Sequence, residues 1–477
     1  MSFLESALPR EPHRGLRRED DDPLFPRMVE DNNFAPSYPG AQDQSLANPI
    51  GTVDEYAMTG ALKRVGSQET VADEKEAQPA KEAVGWRRIV RNFTPSWFAV
   101  NMGTGIVSIL LHGLPYNAYW IRIISIGFFL LNVLLFMTFS LITILRYILY
   151  PEIWSAMIQH PAQSLFLGCF PMGFATIINM TVMVCCDWGS GWVYFAWVMW
   201  WVDVVLSMAS CVTMPFIVMH RHKPALHATT AALLLPIVPA VVASASGSIV
   251  AEVIPDRSHA ILTIVVSYIL LGIGESFAFL VLAMYFHRLH VHSLPAREAI
   301  VSVFLPVGPL GQGGFAIQKL GTDLLNLLSS TEKFNGRESQ SPLYLGQIFY
   351  ATGILFGFVM WGIGLVWLAF AFITIGTMKR FPFNMGWWGF TFPLGVFATC
   401  TSMLATELDS RFLRVLTTIL SLCVVLLWGV VGVRTLYLAM TGEIFTAPCL
   451  QSLPKTRGDG KKGKNGGVDR IMGKRFS

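Results

Sequence analysis

From Asn92 to Leu450 the chain runs 359 residues with only 28 charged side chains. An ordinary soluble domain carries about 25% charged residues, so one charge in about thirteen leaves too few to clothe a water-facing surface. Most of the charge lies at the ends: residues 1–91 hold 12 Lys/Arg and 16 Asp/Glu, and residues 451–477 hold 8 and 2. This partition excludes a soluble enzyme or a nucleic-acid binder and points to a membrane-embedded body between polar tails. The formal net charge of +4 is a small difference of large counts and says little about partners.

About twenty mainly apolar residues cross a bilayer core. Ten such stretches follow Thr94, at 94–112, 119–146, 161–185, 191–219, 227–250, 260–286, 297–319, 343–377, 386–406 and 411–441. The 343–377 run exceeds one upright crossing and is expected to tilt or to project beyond the bilayer. An even number of crossings leaves both termini on one side. Arg87, Arg88 and Arg91 abut the first span and the basic tail follows the last, so both termini are expected in the cytoplasm. The fold class expected is an all-α polytopic membrane protein, with a disordered cytoplasmic tail over 1–91, a ten-helix domain over 92–450 and a basic cytoplasmic tail over 451–477. The Lys455–Lys464 cluster reads as solvated tail, with contact to anionic lipid as the alternative. The seven cysteines form no CxxC pair and read as small core residues.

Proline placement divides the spans. Pro95, Pro171, Pro236 with Pro239, Pro306 with Pro309, and Pro393 fall in the odd spans, whereas the even spans hold only Pro215, near the end of the fourth. A proline inside a helix removes an N–H and frees carbonyls, which lipid cannot satisfy. The odd spans are therefore expected to be kinked inner helices around a central pore, at Pro171, Pro236, Pro306 and Pro393, with the even spans as a lipid-facing ring. Five hairpins result; ordinary kinks in a bundle are the alternative. The odd spans are nearly free of acids but carry hydroxyls and amides such as Asn101, Thr104, Thr176, Asn179, Gln312 and Thr399. Cation pathways are usually ringed by carboxylates, so this lining suits a small anion, and neutral solutes would also fit.

Several motifs carry a sharp and a bland reading. Pro306-Val-Gly-Pro-Leu-Gly-Gln-Gly-Gly-Phe315 is expected to depart from a regular helix. Gly308, Gly311, Gln312, Gly313 and Gly314 would then offer an anion-binding concavity, against a packing kink without ligand contact. A nucleotide loop would need a Gly-Lys-Ser/Thr ending that is missing. In Asn101-Met-Gly-Thr-Gly105, Gly103 and Gly105 permit close approach while Asn101 and Thr104 offer donors; helix packing is the alternative. Phe392, before Pro393, is pushed from α geometry and reads either as a plug on the axis or as core. Asp203 and Glu275 lie on even spans, where a neutral carboxyl held between helices or at a subunit contact is favoured over proton coupling. His220, His222, His287, His290 and His292 raise a membrane metalloenzyme with histidine boxes as a rival, but their spacing is loose; no metal and no cofactor are expected.

With these motifs in place, the segment Arg91-Asn-Phe-Thr-Pro-Ser-Trp-Phe-Ala-Val-Asn-Met-Gly-Thr-Gly-Ile106, together with Pro306–Phe315 and Gly389-Phe-Thr-Phe-Pro393, resembles the tellurite-resistance/dicarboxylate transporter family. Within that family it is similar to the fungal plasma-membrane sulfite efflux pumps, over roughly 92–450. The resemblance implies five hairpins in pseudo-five-fold order, a homotrimer with one conduit per protomer, and a gating phenylalanine on the ninth helix. That role falls on Phe392, with Phe390 as the fallback. The expected function is export of sulfite or hydrogen sulfite across the plasma membrane, driven by the anion's electrochemical gradient, by a protein that is not an enzyme. The partners expected are this small anion, the lipid bilayer and copies of the chain, with no nucleic acid. A proton-coupled malate or dicarboxylate permease is the alternative.

Overall fold

The computed structural model describes residues 85–222, 225–329, 341–378 and 381–452. Expectations for 1–84 and 453–477, the Lys455–Lys464 cluster among them, lie outside these residues. The described residues belong to one compact unit, Lys75–Ser477, and all their regular structure is helical.

Helices cover all ten apolar stretches: α1 (Phe98–His112), α2 (Tyr119–Leu149), α3 (Cys169–Cys185), α4 (Ser190–Ile217), α5 (Val238–Val253), α6 (Arg257–His292), α7 (Val307–Ser329), α8 (Ser341–Thr377), α9 (Thr391–Glu407) and α10 (Arg411–Thr441). Among the described residues, eight helical segments are long and apolar enough to cross a membrane. The other two, α1 and α5, have 15 and 16 residues. At 1.5 Å per residue the 37-residue α8 is roughly 55 Å long and outruns a hydrocarbon core of about 30 Å.

Odd and even helices are built differently. Each odd helix is preceded by a 3₁₀ segment: Pro95–Trp97 before α1, Ser164–Gly168 before α3, Ala231–Leu234 before α5, Arg297–Phe304 before α7 and Met385–Phe390 before α9. The prolines stand at or beside these joints. Pro95 opens the first 3₁₀ segment, Pro236 and Pro306 lie just before α5 and α7, and Pro171, Pro239, Pro309 and Pro393 lie within the first three residues of their helices. There the N–H groups have no partner within the α-helix, so the missing proton costs little. The sequence places the breaks inside the odd helices; the structure moves them to the 3₁₀–α joints. It also corrects the reading of Pro306–Phe315, which is regular α-helix from Val307 onward.

Burial follows the same division. The most apolar windows of the segments ending in α3, α7 and α9 are 72%, 78% and 72% buried, whereas those of the even helices are 22% to 39% buried. In α1 every residue from Phe98 to Leu111 is buried, as is every residue of α5 from Val238 to Ala251. The odd helices touch in the closed order α1–α3–α5–α7–α9–α1, and each even helix packs on the odd helix before it and the next odd helix in that ring.

Buried and half-buried tryptophans tie the two rings together, since an indole N–H withdrawn from water needs an acceptor. Trp200 donates to the Ala243 carbonyl at 2.8 Å, Trp361 to Thr401 at 3.0 Å, Trp388 to Thr435 at 3.1 Å and Trp428 to Thr104 at 3.0 Å. At one end of the bundle Trp97 stacks on Phe93 and on Phe445, with ring centroids 5.2 and 5.1 Å apart. The chain therefore enters and leaves the helical body on the same side.

Candidate functional site

Two cavities lie inside the inner ring. The wider, about 940 Å³, is lined by all five odd segments near their N-terminal ends, from Thr94 and Ser96, through Gln163, Thr230 and Glu298, to Asn384 and Pro393. The narrower, about 160 Å³, is lined by the same five segments farther along, at Ile106, Thr176, Asn179, Val242, Gln312, Thr399 and Ser402 among others. Apart from Phe392, which lines both, the residues on the wide cavity precede those on the narrow one in every segment, so the five run parallel. Chain connectivity requires this, because every return is made by an even helix.

Phe392 sits where the cavities meet. Among the described residues its side chain alone lines both, and it is 3% exposed. Thr391 at the head of α9 donates its hydroxyl to the Trp388 carbonyl at 2.8 Å, and Pro393 follows on the wide-cavity wall. The 3₁₀–α joint thus places Phe392 between the two cavities. Phe390 packs edge-on against Phe304, with centroids 4.9 Å apart, and lines neither cavity.

The remaining sequence candidates separate into lining and packing. Gln312 is on the narrow cavity and Gly308 on the wide one. A Cβ at Gly308 would have only Pro393 near it, at 3.9 Å, whereas one at Gly311 would stand 2.7 Å from the Phe397 backbone N and one at Gly314 2.8 Å from Cys400 Sγ. The Glu275 carboxylate and Met360 occupy the space over Gly313. Gly311, Gly313 and Gly314 therefore seat α9, α6 and α8 against α7. The first-span motif is likewise a joint. Asn101 donates to the Asn132 carbonyl and Oδ1 at 3.2 and 3.1 Å, and Asn132 passes the connection to Thr176 at 3.0 Å. Thr104 accepts from Trp428, a Cβ on Gly103 would meet Thr391 Oγ1 at 2.5 Å, and one on Gly105 would collide with Thr176. None of Asn101, Gly103, Thr104 and Gly105 lines either cavity.

The comparisons to known proteins bear on what passes between these helices. The voltage-dependent anion channel family matches over residues 92–436. The sulfite efflux pumps of Arthroderma benhamiae and Arthroderma otae are 44% and 45% identical over 373 residues, each covering 78% of this chain and 97% of the pump. The malic acid transport protein of Schizosaccharomyces pombe is 25% identical over 343 residues, covering 71% of this chain and 76% of that protein. The chain belongs to the voltage-dependent anion channel family.

In this family member the two intramembrane acids stand off the axis. Asp203 on α4 and Glu275 on α6 are 0% and 7% exposed, line neither cavity, and have no hydrogen-bond partner among the described residues. Of the histidines, His222 bonds the Ile158 carbonyl at 3.0 Å, His290 the Phe286 carbonyl at 2.9 Å, His220 stacks on Phe216, and His292 meets His227 edge-on at 6.1 Å. Among the described residues no group of three His, Cys, Asp or Glu is placed to hold a metal. Sequence reasoning missed the part played by α10, which brings Arg434 and Leu438 to the wide cavity and Thr417 and Ser421 to the narrow one. The signal was present, since Leu413, Thr417, Ser421, Val424, Val431 and Thr435 form one buried face of that helix.

Proposed function

We propose that this protein exports sulfite, or hydrogen sulfite, across the plasma membrane through the axial passage between its five inner segments, with Phe392 as the gate. The observation that carries the reading is the meeting of the two cavities at a single buried ring. Identity of 44% to a sulfite efflux pump over 97% of that pump's length supports sulfite as the anion.

The sign of the charge has a physical basis beyond kinship. Each helical segment carries about half a positive elementary charge at its N-terminus. Five parallel inner segments place their N-termini around the wide cavity, so their fields add. The helix ends there favour an anion although the charged side chains of the wall, Arg434 against Glu298 and Glu443, have no net positive charge. Among the described residues, the lack of a cation in the narrow cavity favours passage over capture. The interior of a cell is negative, so an anion leaving it gains about 2.3 kcal/mol per 100 mV. The gradient supplies the driving force, and the protein has only to open and to replace hydration. Gln312 and the cavity-facing backbone at Gly308 serve that end, while the Asn101–Gly105 stretch and the other glycines of α7 hold the ring closed.

The same reading takes all ten helices as crossings, in five hairpins. Entry and exit on one side, through the Trp97–Phe445 stack, support an even number. Both termini and the wide cavity then face the cytoplasm, as the arginines before α1 favour. Exposed apolar faces on the even helices provide for lipid and for a homotrimer with one passage per protomer. Asp203 and Glu275 take no part in the passage, so flux is not coupled to protons through them.

Vesicles reconstituted with the full chain test the function. With sulfite inside and an imposed inside-negative potential, the expected result is sulfite efflux that external malate does not compete. Malate flux without sulfite flux would contradict the proposal and favour the dicarboxylate permease, for which the Schizosaccharomyces pombe relative gives the precedent.

A further inference from the structure

The narrow cavity has one wall that the five inner segments do not supply. Thr417 and Ser421, one turn apart on α10, line it, are 2% and 1% exposed, and neither hydroxyl has a hydrogen-bond partner. Helical hydroxyls in this chain commonly bond back to their own helix. Thr418, beside them, donates to the Arg414 carbonyl at 2.9 Å, and Thr401 and Thr406 on α9 donate to Phe397 and Ser402 at 2.8 and 3.0 Å. Elsewhere on α10, the half-buried Trp428 and the buried Thr435 are both engaged. Two adjacent buried hydroxyls without partners cost free energy and require an explanation.

The rest of the cavity supplies one. Gln312 and Asn179 also line it and bring carboxamide N–H donors to the opposite wall. No ionisable side chain among the described residues is in its wall. Its volume of about 160 Å³ equals roughly five waters of liquid, room for a small oxyanion that keeps part of its hydration.

We propose that Thr417 and Ser421 of α10, facing Gln312 and Asn179 of the inner ring, form an anion-coordinating site on the far side of Phe392 that takes a small oxyanion. The two hydroxyls turn to donate to the anion, and the carboxamide N–H groups donate from the opposite wall. With donors and no fixed cation, the site replaces lost hydration and still releases its ion. It places an even helix in the passage and makes the exit asymmetric, toward α10. This inference rests on the proposed anion passage.

The test is concentration-dependent flux in vesicles for the full chain and for Thr417→Val with Ser421→Ala, using sulfite and, separately, nitrate. Loss of two donors to an ion is expected to raise the half-saturating sulfite concentration about tenfold and to change the ratio of sulfite to nitrate flux. Thr417→Ser should retain wild-type behaviour, and Thr418→Val, which removes a hydroxyl outside the cavity, should leave both quantities unchanged. Unaltered half-saturation and ratio in the double variant would overturn the site, as would an equal change in Thr418→Val. If the double variant does not assemble, Ser421→Ala alone is read in the same way. A wild-type chain that passes nitrate but not sulfite would overturn the function proposed above, and the site is then judged on half-saturation by nitrate.

Discussion

Glycines in this chain look alike in sequence and differ in what they touch. Gly308 has open space in front of it, and Gly311, one turn away, has the backbone of α9 against it. Gly308→Ala should therefore be tolerated, with the amount of folded protein and its melting temperature near wild type. Gly311→Ala forces a Cβ to within 2.7 Å of the Phe397 backbone N and should destabilise by about 1–3 kcal/mol. Melting temperatures of the two variants in detergent check the difference, and equal values would remove the distinction between lining and seating glycines. The same ambiguity explains why the site was only partly legible beforehand. A Gly-x-Gly stretch provides close approach, but spacing does not say whether a ligand or a neighbouring helix approaches. Asn101 and Thr104 had the right chemistry for a pore wall, but α2 and α10 present them with Asn132 and Trp428, partners that no local pattern reveals. Phe392 was singled out by the proline after it, but that pattern left plug and core both open, and only the family resemblance pointed to a gate.

At the scale of elements, the alternation of proline-bearing and proline-free spans carried the inner and outer rings into view. What it misplaced was the position of the break. Proline is cheapest in the first turn of a helix, and the 3₁₀ segments that make this possible have no composition of their own. Outer helices were taken as lipid-facing from their regularity, which hid the buried face of α10. The odd helices are also clamped beyond the passage. Lys319 on α7 bonds Asp323 at 2.5 Å and Glu252 at the end of α5 at 2.9 Å, with side chains 14%, 4% and 58% exposed. Lys319→Met leaves a buried carboxylate without its cation and should cost about 3 kcal/mol, read as a lower melting temperature. Lys319→Met with Asp323→Asn should recover most of that loss. If the single and double variants melt together, the clamp contributes nothing to stability.

At the scale of the molecule, five parallel segments give the proposed passage a direction: helix N-termini at the wide cavity, Phe392 proposed as the constriction, and uncharged polar side chains in the narrow cavity beyond it. Selectivity for charge then belongs to the architecture more than to any side chain. Vesicles loaded with potassium sulfate should accordingly show no potassium flux through the wild-type protein, and a cation current would contradict the field argument. Solubilised in mild detergent, the protein should have the mass of three chains by native mass spectrometry, and a monomer mass would remove the trimer.

The central claim is that Phe392 closes one continuous anion path. Its most direct test is sulfite efflux from reconstituted vesicles at a fixed inside-negative potential, comparing the wild-type chain with Phe392→Ala. Removal of the ring joins the two cavities, so efflux should rise on the order of tenfold, corresponding to about 1.4 kcal/mol off the barrier. Unchanged or reduced efflux, from a variant that melts and assembles like the wild type, would contradict the account.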